Sequence, residues 1–253
     1  MAIELIPAID LRGGKVVRLL RGDYMHQTTY DVDPIDLAKR FADAGCRWLH
    51  VVDLDGARDG RPVNLEIIEK IIKSTKMNVE LGGGIRSEEV MEYLLAIGAQ
   101  RLILGTRAIS DAEWFKIMVH DVRFRGRLVL GLDARDGRAA THGWTIGSDA
   151  SPTAAHIAQS VRDWPLAAII YTDISRDGTL AGPNIAATQE LLQHTGKIPV
   201  IHSGGIAKLQ DIAAFKSLPI AGIIVGRAIY EGTLDVKQAV AELSRPVGTT
   251  SGG

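Results

Sequence analysis

The segments Gly83-Gly84-Ile85 and Leu104-Gly105-Thr106 decide the fold, because they recur at a constant shift of 121 positions as Gly204-Gly205-Ile206 and Val225-Gly226-Arg227. A constant shift over two separate segments indicates that the second half of the chain repeats the first. Each glycine segment follows a short apolar run. The two halves are therefore expected to contain the same strand units.

Eight short apolar runs, mostly continuous rather than alternating, are spread over the chain. Such runs are typical of parallel strands buried on both faces. They cover residues 3–9, 48–52, 79–81, 102–104, 128–132, 167–171, 199–201 and 220–225. Helical patterns lie between them, for example at 34–44 and 87–97. Four strands in each half predict two fused half-barrels that close into a single (β/α)8 TIM barrel, with a doubly wound open sheet as the second choice.

Composition narrows the function classes. Of the 253 residues, 46% are hydrophobic and 23% are charged, as expected of a globular chain. The net charge of −1 and the lack of a basic block argue against a nucleic acid partner, and no apolar stretch is long enough for a membrane span. Cys46 is the only cysteine, so a reducing cytoplasm is expected. Residues 1–244 are predicted to form the barrel and residues 245–253 a disordered tail.

Polar residues that follow the apolar runs are expected at the C-terminal ends of barrel strands, where barrel enzymes have their active sites. These residues are Asp10, His50, Asp53, Asp133, Thr172 and Asp177. A single acidic residue in such a place is also typical of a helix N-cap, and His50 of a hydrogen-bonded core histidine. Asp10 and Asp133 end the first and fifth strands, on opposite sides of the mouth. Two carboxylates that face one substrate suit general acid and base catalysis.

The repeated glycines predict two phosphate sites. Bare backbone N–H groups can bind a phosphate where a side chain would block its approach, although tight turns are the alternative explanation. Residues Gly83, Gly84, Gly105 and Thr106 form what we call the first cradle. Residues Ser203, Gly204, Gly205, Gly226 and Arg227 form the second cradle. Two cradles on opposite sides of the mouth predict a substrate with two separated phosphates.

Two further residues are candidates for substrate binding. Arg18 is expected to reach a phosphate or a carboxylate, unless it is a solvated surface residue. Trp144 is expected to fold over a flat ring from the fifth βα loop, unless it only anchors that loop. No spacing of His, Cys or acidic residues suggests a metal site, so metal-free chemistry is expected.

Four motifs resemble the ProFAR isomerase family of histidine biosynthesis. They are IPAIDL (6–11), GGGIRS (82–87), TDISRDGTLAG (172–182) and VGRAI (225–229). The resemblance extends from Ile3 to about Leu243, and the run 172–182 is its most specific part. It implies an Amadori rearrangement of an aminoaldose to an aminoketose, on a small ribotide with two phosphates and without a cofactor. The chain is expected to act as a monomer.

The resemblance also implies residue roles. Asp10 corresponds to the general base that removes the proton from ribose C2, and Asp177 to the general acid that protonates the ring oxygen. Asp133 matches an active-site carboxylate of the family and is a second candidate for the acid. Thr172 would hydrogen-bond near the reacting hydroxyls.

Three alternatives remain open at this point. The cyclase subunit of imidazole glycerol phosphate synthase shares the duplicated barrel, but has Cys or Val where this chain has Ala8 and lacks the 226–228 ending. A dual-specificity relative that also isomerises phosphoribosylanthranilate resembles the chain in Gly143-Trp144, but carries Arg where this chain has His142. A non-catalytic phosphosugar-binding barrel would need the glycines without the three carboxylates.

Overall fold

The computed structural model describes residues 2–140 and 152–245. In these ranges the strands are β1 (Glu4–Arg12), β2 (Lys15–Leu20), β3 (Asp23–Tyr30), β4 (Trp48–Asp53), β5 (Asn78–Gly82), β6 (Arg101–Leu104), β7 (Leu128–Arg135), β8 (Arg138–Ala139), β9 (Ala168–Asp173), β10 (Val200–Ser203) and β11 (Gly222–Val225). The helices are α1 (Pro34–Asp43), α2 (Leu54–Asp59), α3 (Leu65–Ser74), α4 (Glu88–Ala96), α5 (Thr106–Ser110), α6 (Ala112–His120), α7 (Ala154–Val161), α8 (Ile185–Leu192), α9 (Leu209–Ala213), α10 (Arg227–Tyr230) and α11 (Val236–Ser244).

Eight parallel strands form a closed barrel, in the order β1, β4, β5, β6, β7, β9, β10 and β11. The barrel closes where β11 pairs with β1, and the two halves meet where β6 pairs with β7. Each of the eight strands overlaps one of the apolar runs of the sequence, and helices alternate with the strands. The predicted TIM barrel is confirmed, and the open sheet is wrong.

The barrel strands separate two apolar cores. Alternate residues of a strand face opposite sides, so one set faces the helices and the other faces the lumen. The lumen core is a small cluster of buried side chains, consisting of Ile6, Ala8, Val129, Ala168, Ile170, Ile201 and Ile224. Because this cluster fills the lower part of the lumen, a ligand is restricted to the C-terminal ends of the strands.

A hairpin that the sequence reasoning missed covers one side of the mouth. β2 runs antiparallel to β1 after a turn at Gly13 and Gly14, whose φ values of +56° and +75° are those of a two-residue hairpin turn. A second turn, at Arg21 and Gly22, leads into β3. The hairpin therefore brings the middle of β2 over the end of β1.

Several helices begin at a residue whose side chain caps them, as α1 does. The carboxylate of Asp33 accepts hydrogen bonds from the N–H groups of Ile35 and Asp36, and Pro34 occupies the first turn of α1. None of the helices in the described part of the chain combines the length and the apolar character that a membrane span requires. The predicted tail lies almost entirely outside the described residues, which end at 245, and it stays a prediction.

Candidate active site

Two carboxylates from the two halves of the sequence meet at one arginine. Asp10 lies on the lumen side of β1, Asp177 lies in the loop after β9, and Arg18 reaches both from the middle of β2. The Arg18 Nη1 atom donates to Asp10 at 2.7 Å, and Nη2 donates to Asp177 at 2.8 Å. Each of the two carboxylate side chains is only 9% exposed. The structure thus brings together three of the residues that the sequence singled out.

The three charges affect one another strongly because they are buried. Burial raises the pKa of Asp177, the charge of Asp10 raises it further, and Arg18 opposes both effects. Burial by itself lowers the pKa of Arg18, but the charges of Asp10 and Asp177 outweigh it and raise that pKa. Arg18 is therefore a permanent cation, and Asp177 is the carboxyl that the environment biases toward holding a proton.

Arg18 also has an unused donor. Its Nε atom is buried and has no hydrogen-bond partner among the described residues. The guanidinium lies against Gly226, where an added Cβ would come within 2.8 Å of the Arg18 Cζ atom. A buried N–H group without an acceptor is costly, so this donor next to the second cradle suits an anionic ligand.

The other mouth residues lie on neighbouring strands. Asp133 of β7 is in register with Thr172 of β9, and Thr172 is in register with Ser203 of β10. Asp133 is half-buried, whereas Thr172 and Ser203 are buried. The residues that precede them in their strands, Leu132, Tyr171 and His202, are buried on the side of the helices, so all three point toward the mouth.

The two cradles have matching backbone conformations. Gly83 and Gly84 have φ values of +102° and +73°, and Gly204 and Gly205 have +98° and +84°. The N-cap glycines Gly105 and Gly226 also agree, with φ of −105° and −114° and ψ of −98° and −93°. The duplication of the sequence is thus a duplication of local structure as well.

Several of these glycines are required by packing alone. An added Cβ at Gly83 would come within 2.2 Å of the Asp53 carbonyl oxygen, and one at Gly84 within 2.6 Å of the Arg61 carbonyl carbon. The explanation by tight turns therefore holds for them. At Gly105 the nearest atom would be 3.7 Å away, so packing does not explain that glycine.

The second cradle borders a small pocket. This pocket is lined by Arg18, Asp177, Gly204, Gly205, Gly226 and Arg227, among others. The Arg227 side chain donates to the Gly178 carbonyl at 2.5 Å, which ties the start of α10 to the loop that carries Asp177. A cation and bare backbone thus border the space next to Asp177.

His50 lies on the lumen side of β4. Its Nδ1 atom is 2.7 Å from the carboxylate of Glu80, and its side chain is 13% exposed. The interpretation as a hydrogen-bonded histidine is correct, but the ring still reaches the mouth. Sequence reasoning missed Glu80, although a charged residue inside a strand buried on both faces is a detectable signal.

Asp53 does not belong to the mouth. Its fully buried carboxylate accepts from the N–H groups of Gly56 at 2.9 Å and Val63 at 2.6 Å, and it also binds Asn64. The expectation that Asp53 faces the mouth is wrong, because its place in β4 turns it toward the helices, where it caps α2. Trp144 and His142 lie outside the described residues.

The described residues contain no group of three or more His, Cys, Asp or Glu side chains arranged to share a metal ion. The polar groups of the mouth include the two paired carboxylates, Asp133, His50, Arg18, Arg227, hydroxyl groups and backbone N–H groups. Such a set can bind anions and transfer protons.

Comparison with known proteins gives consistent matches. The profile of a family described as "Histidine biosynthesis protein" matches residues 4–235. A protein of Rhizorhabdus wittichii is 47% identical over 243 residues, which cover 95% of this chain and 98% of that protein. Proteins of Dehalococcoides mccartyi and Gloeothece citriformis are 45% and 42% identical, over 96% and 94% of this chain and 97% and 92% of their own lengths. All three are named 1-(5-phosphoribosyl)-5-((5-phosphoribosylamino)methylideneamino) imidazole-4-carboxamide isomerase.

Proposed function

The chain belongs to the family of histidine biosynthesis proteins, and from this premise we propose that it isomerises ProFAR, the imidazole carboxamide ribotide in the names of its relatives. The reaction is an intramolecular aldose–ketose isomerisation in which an aminoaldose becomes an aminoketose. It moves a proton within one molecule, so its balance needs no redox cofactor. The observation that carries the proposal is the convergence of Asp10 and Asp177 on Arg18 at the barrel mouth.

Asp177 serves as the general acid and Asp10 as the general base. Asp177 protonates the ribose ring oxygen while the bond from that oxygen to C1 breaks, and the amino nitrogen forms a double bond to C1. Asp10 then removes the proton from C2, and the resulting enolamine rearranges to the ketose. Burial of Asp177 supports its role, because the raised pKa favours the protonated carboxyl that an acid needs.

Arg18 must change partners for this chemistry. The charge of Arg18 and the hydrogen bond from its Nη2 atom lower the pKa of Asp177 and so oppose the effect of burial. A substrate phosphate in the second cradle offers a competing acceptor, next to the unpaired Nε atom of Arg18. Binding of the substrate would thus release Asp177 from its ion pair and allow it to take up a proton.

The two cradles hold the two phosphates of the substrate. Their matching backbone conformations support this, and so does Gly105, which packing does not require. Thr172 hydrogen-bonds to the hydroxyls of the reacting ribose, and Asp133 faces them across the mouth. Trp144 would cover the imidazole ring.

The chain carries both carboxylates and both cradles, which supports a monomeric enzyme. A cytoplasmic location is supported by the single cysteine, Cys46, which is buried and forms no disulfide.

Turnover of ProFAR by the purified protein, followed by absorbance, tests the proposal. Asp10→Asn and Asp177→Asn should each lower kcat by about 10²- to 10⁴-fold, the usual effect of losing a positioned acid or base. Asp163→Asn is a matched control, because that side chain is 87% exposed and lies at the opposite end of the barrel. It should leave kcat unchanged.

Either active-site variant with near-normal kcat and a normal circular dichroism spectrum would remove that residue from its role. A wild-type protein that binds ProFAR without converting it would support the non-catalytic barrel instead. Phosphoribosylanthranilate, supplied in the same assay, separates the single from the dual activity.

A further inference from the structure

Four polar and aromatic side chains form a chain through the lumen of the first half-barrel. Glu80 is in register with His50 on one side and with Arg101 on the other. The carboxylate of Glu80 is completely buried, lies 2.7 Å from His50 Nδ1 and accepts from Arg101 Nε at 2.7 Å. The Arg101 guanidinium lies 3.8 Å from the centre of the Trp48 ring. A buried charge of this kind is costly unless it is fully paired, as it is here.

The second half-barrel shows that the fold does not need these charges. The residues that occupy the same registers there are Ile170, Ile201 and Gly222. Ile201 pairs with Ile170 and with Gly222 as Glu80 pairs with His50 and with Arg101, and both isoleucines belong to the lumen core. Apolar residues therefore close an equivalent half-barrel in the same molecule. The charged set in the first half must serve a purpose other than packing.

The position of His50 indicates that purpose. His50 is in register with Ala8, and Asp10 is the next residue of β1 on the same side of the strand. His50 is 13% exposed and Glu80 is not exposed at all, so the histidine is the member of the pair that reaches the mouth.

We propose that Glu80 and Arg101 are positioning residues that fix the orientation and tautomer of His50 at the floor of the active site. An ionised carboxylate can only accept, so the hydrogen bond requires a proton on Nδ1, and in the neutral ring Nε2 is then the acceptor. In that state His50 accepts a hydrogen bond from a hydroxyl of the reacting ribose. This inference rests on the proposed isomerase function for its catalytic part.

The experiment compares the wild type with a double variant, Glu80→Leu with Arg101→Leu. This change replaces both charges with apolar side chains and leaves neither charge buried without its partner. We expect a kcat reduced by up to about 100-fold, the effect of a misplaced catalytic group, and a KM within about twofold of wild type. Nitrogen-15 NMR should show His50 as the Nδ1–H tautomer in the wild type and as a mixture in the variant.

A second comparison tests whether the pair acts through His50. His50→Leu should lower kcat at least as much as the double variant, and adding His50→Leu to the double variant should cause no loss beyond that of His50→Leu alone. Should the double variant fail to fold, Glu80→Gln is the substitute, because its amide keeps the shape and an acceptor oxygen but lacks the charge. It should show the same direction in kcat and in the NMR signals.

The proposal is overturned if the variants keep wild-type kcat, if His50 keeps a single tautomer without Glu80, or if the effects of the two changes add. A wild type that does not turn over ProFAR would refute the isomerase function alone. The NMR comparison needs no substrate, and it would still decide whether Glu80 fixes His50.

Discussion

A buried histidine below the second cradle should make the stability of the protein depend on pH. His202 of β10 is completely buried, and its ring centroid lies 4.5 Å from that of Phe215. Its Nε2 atom is 2.9 Å from the Gly204 carbonyl, which can only accept, so Nε2 carries the proton. Nδ1 accepts from the hydroxyl of Thr188 at 2.9 Å. The ring is therefore neutral and fully hydrogen-bonded in the folded state.

The size of the effect follows from the pKa. Burial lowers the pKa of His202 from 6.5 to about 4. Between these values the unfolded chain binds a proton that the folded chain does not, so stability is lost as the pH falls from about 6.5 to about 4. Above pH 6.5 this contribution is fully present. A difference of about 2.5 pH units corresponds to roughly 3 kcal/mol of unfolding free energy.

Denaturant unfolding at several pH values between 4 and 7 measures this loss. His202→Gln provides the comparison, because an amide can donate to Gly204 and accept from Thr188 but does not titrate. The wild type should lose roughly 3 kcal/mol more than this variant over the range. His156→Gln changes an exposed histidine and should follow the wild type. If the wild type and His202→Gln lose stability in parallel, the buried neutral histidine is not the cause.

Two other predictions concern the cradles. Crystals grown in sulfate should contain one anion in each cradle, held by backbone N–H groups; an anion in the second cradle alone would show that the glycines of the first serve only for turns. Gly105→Ala should fold normally and raise the KM for ProFAR more than it lowers kcat, since a methyl group has room there but obstructs a phosphate. Gly84→Ala should instead lower the melting temperature, because its Cβ would overlap the backbone at Arg61; equal melting temperatures for the two variants would contradict this difference.

The sequence predicts the barrel well because eight parallel strands buried on both faces leave eight apolar runs, and because duplication leaves a measurable shift. It predicts the hairpin of β2 and β3 poorly, since β3 is largely exposed and carries almost no apolar pattern. The sequence therefore suggests Arg18 as a binding residue but does not place it in the fold. The turn at Gly13 and Gly14 explains how it reaches Asp10 and Asp177.

The sequence does not show which residues of neighbouring strands contact one another inside the barrel. The run 79–81 predicts a strand in spite of Glu80. The partners of Glu80, His50 and Arg101, lie on neighbouring strands and meet it only when the barrel closes. The prediction that Asp53 faces the mouth is wrong because of strand geometry. Asp53 follows an apolar run as Asp10 does, but the alternation of side chains turns it toward the helices, where its carboxylate caps α2.

The likeness of the two cradles has a consequence for the kinetics. If both cradles bind phosphate, their matching backbones contribute equally to either phosphorylated end of the substrate, and side chains such as Arg18 beside the second cradle are what oppose entry in the reverse direction. Under the proposed mechanism, only one direction would place the reacting ribose over Asp10 and His50, because the floor of the other half is lined by Ile170 and Ile201. Molecules bound in reverse would occupy the enzyme without reacting. Such nonproductive binding lowers kcat and KM by the same factor and leaves kcat/KM unchanged, so kcat/KM is the quantity that reports the chemistry of the correctly oriented substrate.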